Sequence, residues 1–177
     1  MTAPWIINNG RLPDGRPAKK DIFADWQREI TCVIRPNNTA LVKAAYLAGL
    51  TNEEPASDAG YWWLKHWQEL YPNLTWEQVA QDLLEFVKNQ QAQLPEKITL
   101  YRGLAVNQRK YQYTPKYEIE SWTSDKKVAL AYAQSARDSR WGKYAKVIEK
   151  EFPREKILCW EVPGLFKNHK EVIVITK

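Results

Sequence analysis

Apolar residues recur every three to four positions through the first half of the chain. Through the second half they come every second position or in short unbroken runs. A period near 3.6 buries one face of a helix and a period of two buries one face of a strand, so the character of the chain changes near Leu94-Pro95. After a turn-rich stretch from Asn8-Asn9-Gly10 to Arg16-Pro17, the spacing of Ile22, Trp26, Ile30 and Val33 predicts a helix over 21–33. Leu41, Ala45 and Ala48 predict a second over 39–50, with Gly49 placed to end it. Trp63, Trp67 and Leu70 predict a third over 61–71, stopped by Pro72. The clearest helix opens at Thr75, where Thr75-x-x-Gln78 has capping-box form. Val79, Ala80, Leu83, Leu84 and Val87 then make a wide apolar stripe up to Pro95. Trp62, Trp63, Trp67 and Trp76 sit at core-like spacing, which assigns them, and His66 between them, to packing.

In the second half, Ile98 to Gly103, Tyr117 to Thr123, Val147-Ile148, Ile157 to Trp160 and Val172 to Ile175 read as strands. Between the second and third of these, Ser124 or Asp125 is placed to cap a short helix carrying Val128, Ala131 and Tyr132. Helices followed by strands argue for an α+β fold rather than a regular βαβ alternation. The 177 residues fit one domain, with a helical lead-in over 1–95 and a β-rich core over 96–177.

Composition adds a basic bias, with a net charge of +5 and a pI of about 9.1. That suits nucleic acid, an acidic protein or a phosphorylated small molecule, and equally a plain solvated surface. Cys32 and Cys159 are the only two cysteines, far apart and without metal-like spacing, and the carboxylates are scattered. Neither a disulfide framework nor a metal site is expected. The N-terminus lacks the pattern of a signal peptide and no apolar run has the length of a membrane span. The expectation is a soluble cytoplasmic protein, in its own cell or in the cytosol of a host.

Three segments place polar groups where strands begin or end. Leu100-Tyr101-Arg102-Gly103 closes an apolar strand on an arginine, whose planar fork suits a phosphate or carboxylate, and on a glycine that admits close approach to the backbone. In Ile119-Glu120-Ser121-Trp122-Thr123-Ser124, Ser121 and Thr123 share one face and Trp122 takes the other. In His169-Lys170-Glu171-Val172, Glu171 opens a strongly apolar strand and His169 precedes it on the same face. Each has an ordinary explanation alone: a surface arginine by a turn, a strand running into a helix cap, an edge charge at a strand start.

In this order, Tyr101-Arg102-Gly103, Ser121-Trp122-Thr123 and Glu171 resemble the mono-ADP-ribosyltransferase superfamily. Its members carry an arginine on the first core strand, a Ser-Thr-Ser strand and a Glu-x-Glu or Gln-x-Glu motif. The likeness is greatest to the small enzymes with which tailed phages modify host proteins, and it covers roughly residues 96–177. Trp122 and Thr123 depart from the Ser-Thr-Ser pattern, and His169 stands where the last motif has its first Glu or Gln.

The resemblance implies a core of two packed, mainly antiparallel sheets, with NAD as co-substrate and no metal. Arg102, Gly103, Ser121 and Thr123 would line the NAD site, with Arg102 on a phosphate and the Gly103 backbone near the nicotinamide. Ser121 would orient Glu171, and Glu171 would stabilise the positive charge that builds on the ribose. His169 would act on the acceptor or merely hold the end of its loop, and Phe166 would contact a target protein. The stretch from Ser135 to Tyr144, with Arg140 and Trp141, corresponds to a second loop on the NAD side. The implied activity is transfer of ADP-ribose to a protein side chain. NAD hydrolysis or modification of a nucleic acid is the next reading, and a non-catalytic binding or inhibitor module the third.

Overall fold

The computed structural model describes residues 40–69, 72–161 and 170–177, which divide into two compact units, one within 1–88 and one within 89–177. The helix expected over 21–33 lies outside the described residues. Among those residues the protein is α+β, with four helices and one five-stranded antiparallel sheet. No described helix is long and apolar enough to cross a membrane.

The first unit carries α1 (Ala40–Leu47), α2 (Tyr61–Gln68) and most of α3 (Trp76–Gln91). Helix α1 buries Ala40, Leu41, Ala44 and Ala45. It ends in a Schellman motif: the Leu50 amide donates to the Ala45 carbonyl and the Gly49 amide to that of Tyr46, with Gly49 at a φ of 76°. Helix α2 buries Trp67 alone. Trp63 stacks on Trp76 at 5.8 Å, but Trp62 is 72% exposed, against the expectation that all these tryptophans pack inward. Trp62 faces away because it is one residue, some 100°, from the buried stripe. At the start of α3 the Gln78 amide donates to Thr75 Oγ1 at 3.3 Å. The reciprocal arm of the capping box is not made, since the Gln78 side chain donates instead to the carboxylate of buried Asp82.

The second unit holds β1 (Lys97–Val106), β2 (Ile119–Thr123), α4 (Lys126–Asp138), β3 (Tyr144–Pro153), β4 (Ile157–Cys159) and β5 (Glu171–Ile175). The strand order is β3-β1-β2-β5-β4. Strands β1 and β3 pair over ten residues, from Lys97↔Pro153 to Val106↔Tyr144. Strand β3 far outruns its Val147-Ile148 signal because it is an edge strand, where exposed charges such as Glu149, Lys150 and Glu151 are tolerated. At the opposite edge the Gln90 side chain accepts from the Trp160 amide and donates to the Leu158 carbonyl, covering the open side of β4. One face of the sheet buries Ile98, Leu100, Trp122, Phe152, Ile157, Val172 and Val174 as a cluster.

Strands β1 and β2 meet at a single register pair, Tyr101↔Thr123. The described residues thus form one sheet with a seam between β1 and β2. A two-stranded ribbon, β3-β1, joins a three-stranded part, β2-β5-β4, at that one point. Helix α4 lies across it and is capped by Asp125, whose carboxylate accepts from the Lys127 amide. The helix buries Ala129 and Ala133, whereas Ala131 and Tyr132 of the expected stripe are exposed.

Candidate functional site

The pairing of β2 with β5 sets the centre of the site. Thr123 lies opposite Glu171 and Ser121 opposite Ile173, so Ser121, Thr123 and Glu171 share one face. Ser121 and Glu171 stand diagonally across the ladder, and the Ser121 hydroxyl donates to Glu171 Oε1 at 2.6 Å. Both side chains are half-buried. Thr123 Oγ1 accepts from the Asp125 amide, which ties it to the entry of α4.

The backbone leading into Glu171 is held in an uncommon conformation. Lys170 has a φ of 44°, in the left-handed region, and its carbonyl accepts from the Ser124 amide. Glu161 has the same φ of 44° and accepts at its carboxylate from the Ser124 hydroxyl. Non-glycine residues with such angles store strain that neighbouring contacts must hold, and they gather at functional sites. Cys159 faces Ile173 from β4 and is fully buried; burial first, and the Glu171 charge second, push its thiol up to about 12. It is therefore a neutral packing group.

Arg102 follows the seam residue Tyr101, and its guanidinium takes over where the ladder stops. Nη1 donates to the Ser121 carbonyl at 2.7 Å, the acceptor that a continued β1–β2 ladder would have used. Nη2 pairs with Glu120 Oε2 at 3.1 Å, and the Glu120 side chain is only 2% exposed. The other Glu120 oxygen accepts from the Tyr113 hydroxyl. Burial and this bond to Glu120 push the Tyr113 phenol above its usual range. Glu120 alternates with Ser121 and so projects to the opposite face of β2. The side chain of Arg102 is 25% exposed. Arg102 Nε and Trp122 Nε1 are buried with no hydrogen-bond partner.

Gly103 lies against helix α4 on its Cβ side. A Cβ there would stand 2.0 Å from the Ala129 carbonyl oxygen and 2.8 Å from the Ala133 amide nitrogen. The close approach that Gly103 permits on that side is that of helix α4.

The structure thus brings Ser121, Thr123 and Glu171 together and sets Arg102 against the Ser121 backbone. It places Gly103 under α4. His169 and Phe166 lie outside the described residues. Glu120 and Tyr113 escaped the sequence reading. The only signal for Glu120 was its place between Glu118 and Trp122 in an alternating strand, a pattern that also fits an exposed edge. Among the described residues no group of three or more His, Cys, Asp or Glu side chains is placed to hold a metal. No protein-family model matches the chain, and neither the curated proteins nor the solved structures include a match to it.

Proposed function

We propose that this protein is an NAD-dependent mono-ADP-ribosyltransferase that breaks the nicotinamide–ribose bond and transfers ADP-ribose to a side chain of a target protein. The observation that carries the reading is the bond from the Ser121 hydroxyl to Glu171 across β2 and β5. A hydroxyl aimed at a half-buried carboxylate fixes its rotamer, which is what a group meant to meet a developing cation requires. When the glycosidic bond breaks, its electron pair leaves on the nicotinamide nitrogen and the ribose carbon becomes cationic. Glu171 would stabilise that carbon, the acceptor would attack it, and the acceptor's proton would pass to a base. The seam between β1 and β2 supports the finer fold reading, since a core of two packed sheets needs the strands to part there.

One observation favours a non-catalytic module instead: Arg102 already holds Glu120 and the Ser121 carbonyl, as a structural arginine does. Incubation with NAD labelled on its adenylate, with a cell lysate and with or without nuclease, separates the readings. Label on protein bands that disappears with Glu171→Gln supports the transferase. Label on nucleic acid, or in free ADP-ribose alone, moves the acceptor to a base or to water. No nicotinamide release from the wild-type protein overturns the enzymatic reading.

A further inference from the structure

Two segments meet at the end of the sheet where β1 stops and β3 starts. Residues 107–117 leave β1, and residues 137–146 join the last turn of α4 to β3. The register pair Val106↔Tyr144 sets them side by side. Gly142 is seated on β1 so closely that a Cβ there would lie 2.5 Å from the Ala105 carbonyl carbon. The Arg109 guanidinium lies 5.4 Å from the centre of the Tyr144 ring. Lys146 donates to the Tyr111 carbonyl at 2.6 Å and sits 5.7 Å from the centre of the Tyr111 ring.

The charge of this end is out of proportion to the chain. The first segment carries Arg109, Lys110 and Lys116 with no carboxylate. The second carries Arg137, Arg140, Lys143 and Lys146 against Asp138 alone, which pairs with Arg137 at 3.3 Å. Seven cations and one carboxylate make +6, while the whole protein carries +5, so the rest of the chain is close to neutral. The basic bias is therefore concentrated and not a general coating of solvated charge. Interleaved with it are Tyr111, Tyr117 and Tyr144, each with a cation 5.3–5.7 Å from its ring. Trp141 is 76% exposed at the same place.

We infer that this end of the sheet binds single-stranded nucleic acid, with the cations on phosphates and Trp141 stacking on a base. A groove or edge that alternates cations with aromatic faces is what a single strand needs, because its backbone supplies the charge and its unstacked bases supply the π-faces. An acidic peptide answers only the cations. A duplex hides its bases from Trp141. The surface lies five residues along β1 from Tyr101, whose partner Thr123 faces Glu171; at about 3.3 Å per residue it is roughly 16 Å from that pair. The inference does not use Glu171, although it gives Arg140 and Trp141 a different ligand from the NAD that the resemblance implies for their loop.

Fluorescence anisotropy of the full chain with a labelled 20-nucleotide single strand tests it. Binding is expected, and with about five phosphates engaged the affinity should fall about a hundredfold between 50 and 200 mM salt. Trp141→Ala should weaken binding about tenfold without loss of fold. Arg140 has a φ of 64°, which glycine adopts freely, so Arg140→Gly keeps the fold, weakens binding and lowers the salt slope by about one. Glu171→Gln should leave the affinity unchanged, which separates this surface from the proposed catalytic site. Wild-type affinity in Trp141→Ala, or equal affinity for a labelled polyglutamate of the same length, would overturn the inference.

Discussion

Arg102 closes on the buried carboxylate of Glu120 at 3.1 Å at the point where β1 and β2 part. The pair substitutes for backbone pairing, because the same guanidinium also holds the Ser121 carbonyl. A buried carboxylate is tolerated only with such compensation, here a cation on one oxygen and the Tyr113 phenol on the other. Ser121 is one residue away, so the clip on one face of β2 steadies the residue that orients Glu171 on the other.

This changes the expectation for Arg102→Lys. On sequence grounds alone the substitution weakens NAD binding. With Glu120 behind it, lysine keeps the charge but loses the two-pronged contact, so stability falls by about 1–3 kcal/mol. A lower Tm without NAD, and a parallel drop in Glu120→Gln, checks the clip. An unchanged Tm in both variants would show that the pair carries no stability.

Gly103→Ala is expected to be more damaging than any surface change on β1. The new methyl would be driven into the Ala129 carbonyl at 2.0 Å, and that obstacle is helix backbone, which no rotamer change removes. Overpacking of this kind costs about 3 kcal/mol. Thermal melts should show it, and Ala129→Gly in the same chain should not restore stability, because the clash is with the carbonyl and not the side chain.

The burial of Asp82 in α3 makes a pH-dependent prediction. Burial raises its pKa above 3.8, although the Gln78 side chain works the other way. The folded state therefore binds the proton more tightly than the unfolded chain. The stability contributed by the protonated form is complete below pH 3.8 and is lost as pH rises through the folded value. Asp82→Asn should raise Tm at pH 7 by removing the buried charge, and the gain should shrink towards pH 4. A gain that grows on acidification would contradict the assignment.

How much of this was legible in the sequence varies with the range of the interaction. The cap at Thr75, the Gly49 terminus and the strands around Leu100 and Val172 are local, and their residues announce them. The diagonal of Ser121 and Glu171 was accessible only through the order of the three motifs, since the two are 50 residues apart. The face of α4 was misjudged for a packing reason. Its spacing favours the larger Val128 and Tyr132, but the helix backbone rests on Gly103, and that clearance admits only Ala129 and Ala133. The partner of Arg102 was not legible, because the alternation that puts Glu120 inside reads the same on an exposed edge. The charge at 107–117 and 137–146 is split between two stretches of the sequence, and only the β1–β3 register joins them.

The Ser121–Glu171 contact supports the sharpest prediction, because charge and orientation can be removed separately there. Glu171→Gln keeps an oxygen able to accept from Ser121, so the fold and most of the NAD affinity should survive. Turnover should fall by about two orders of magnitude or more, since a neutral amide cannot stabilise a cation that forms only in the transition state. Ser121→Ala leaves the charge and removes its orientation, so its loss of turnover should be smaller. Wild-type turnover in Glu171→Gln would take the residue out of the mechanism, and equal losses in the two variants would show that the orientation given by Ser121 matters as much as the charge.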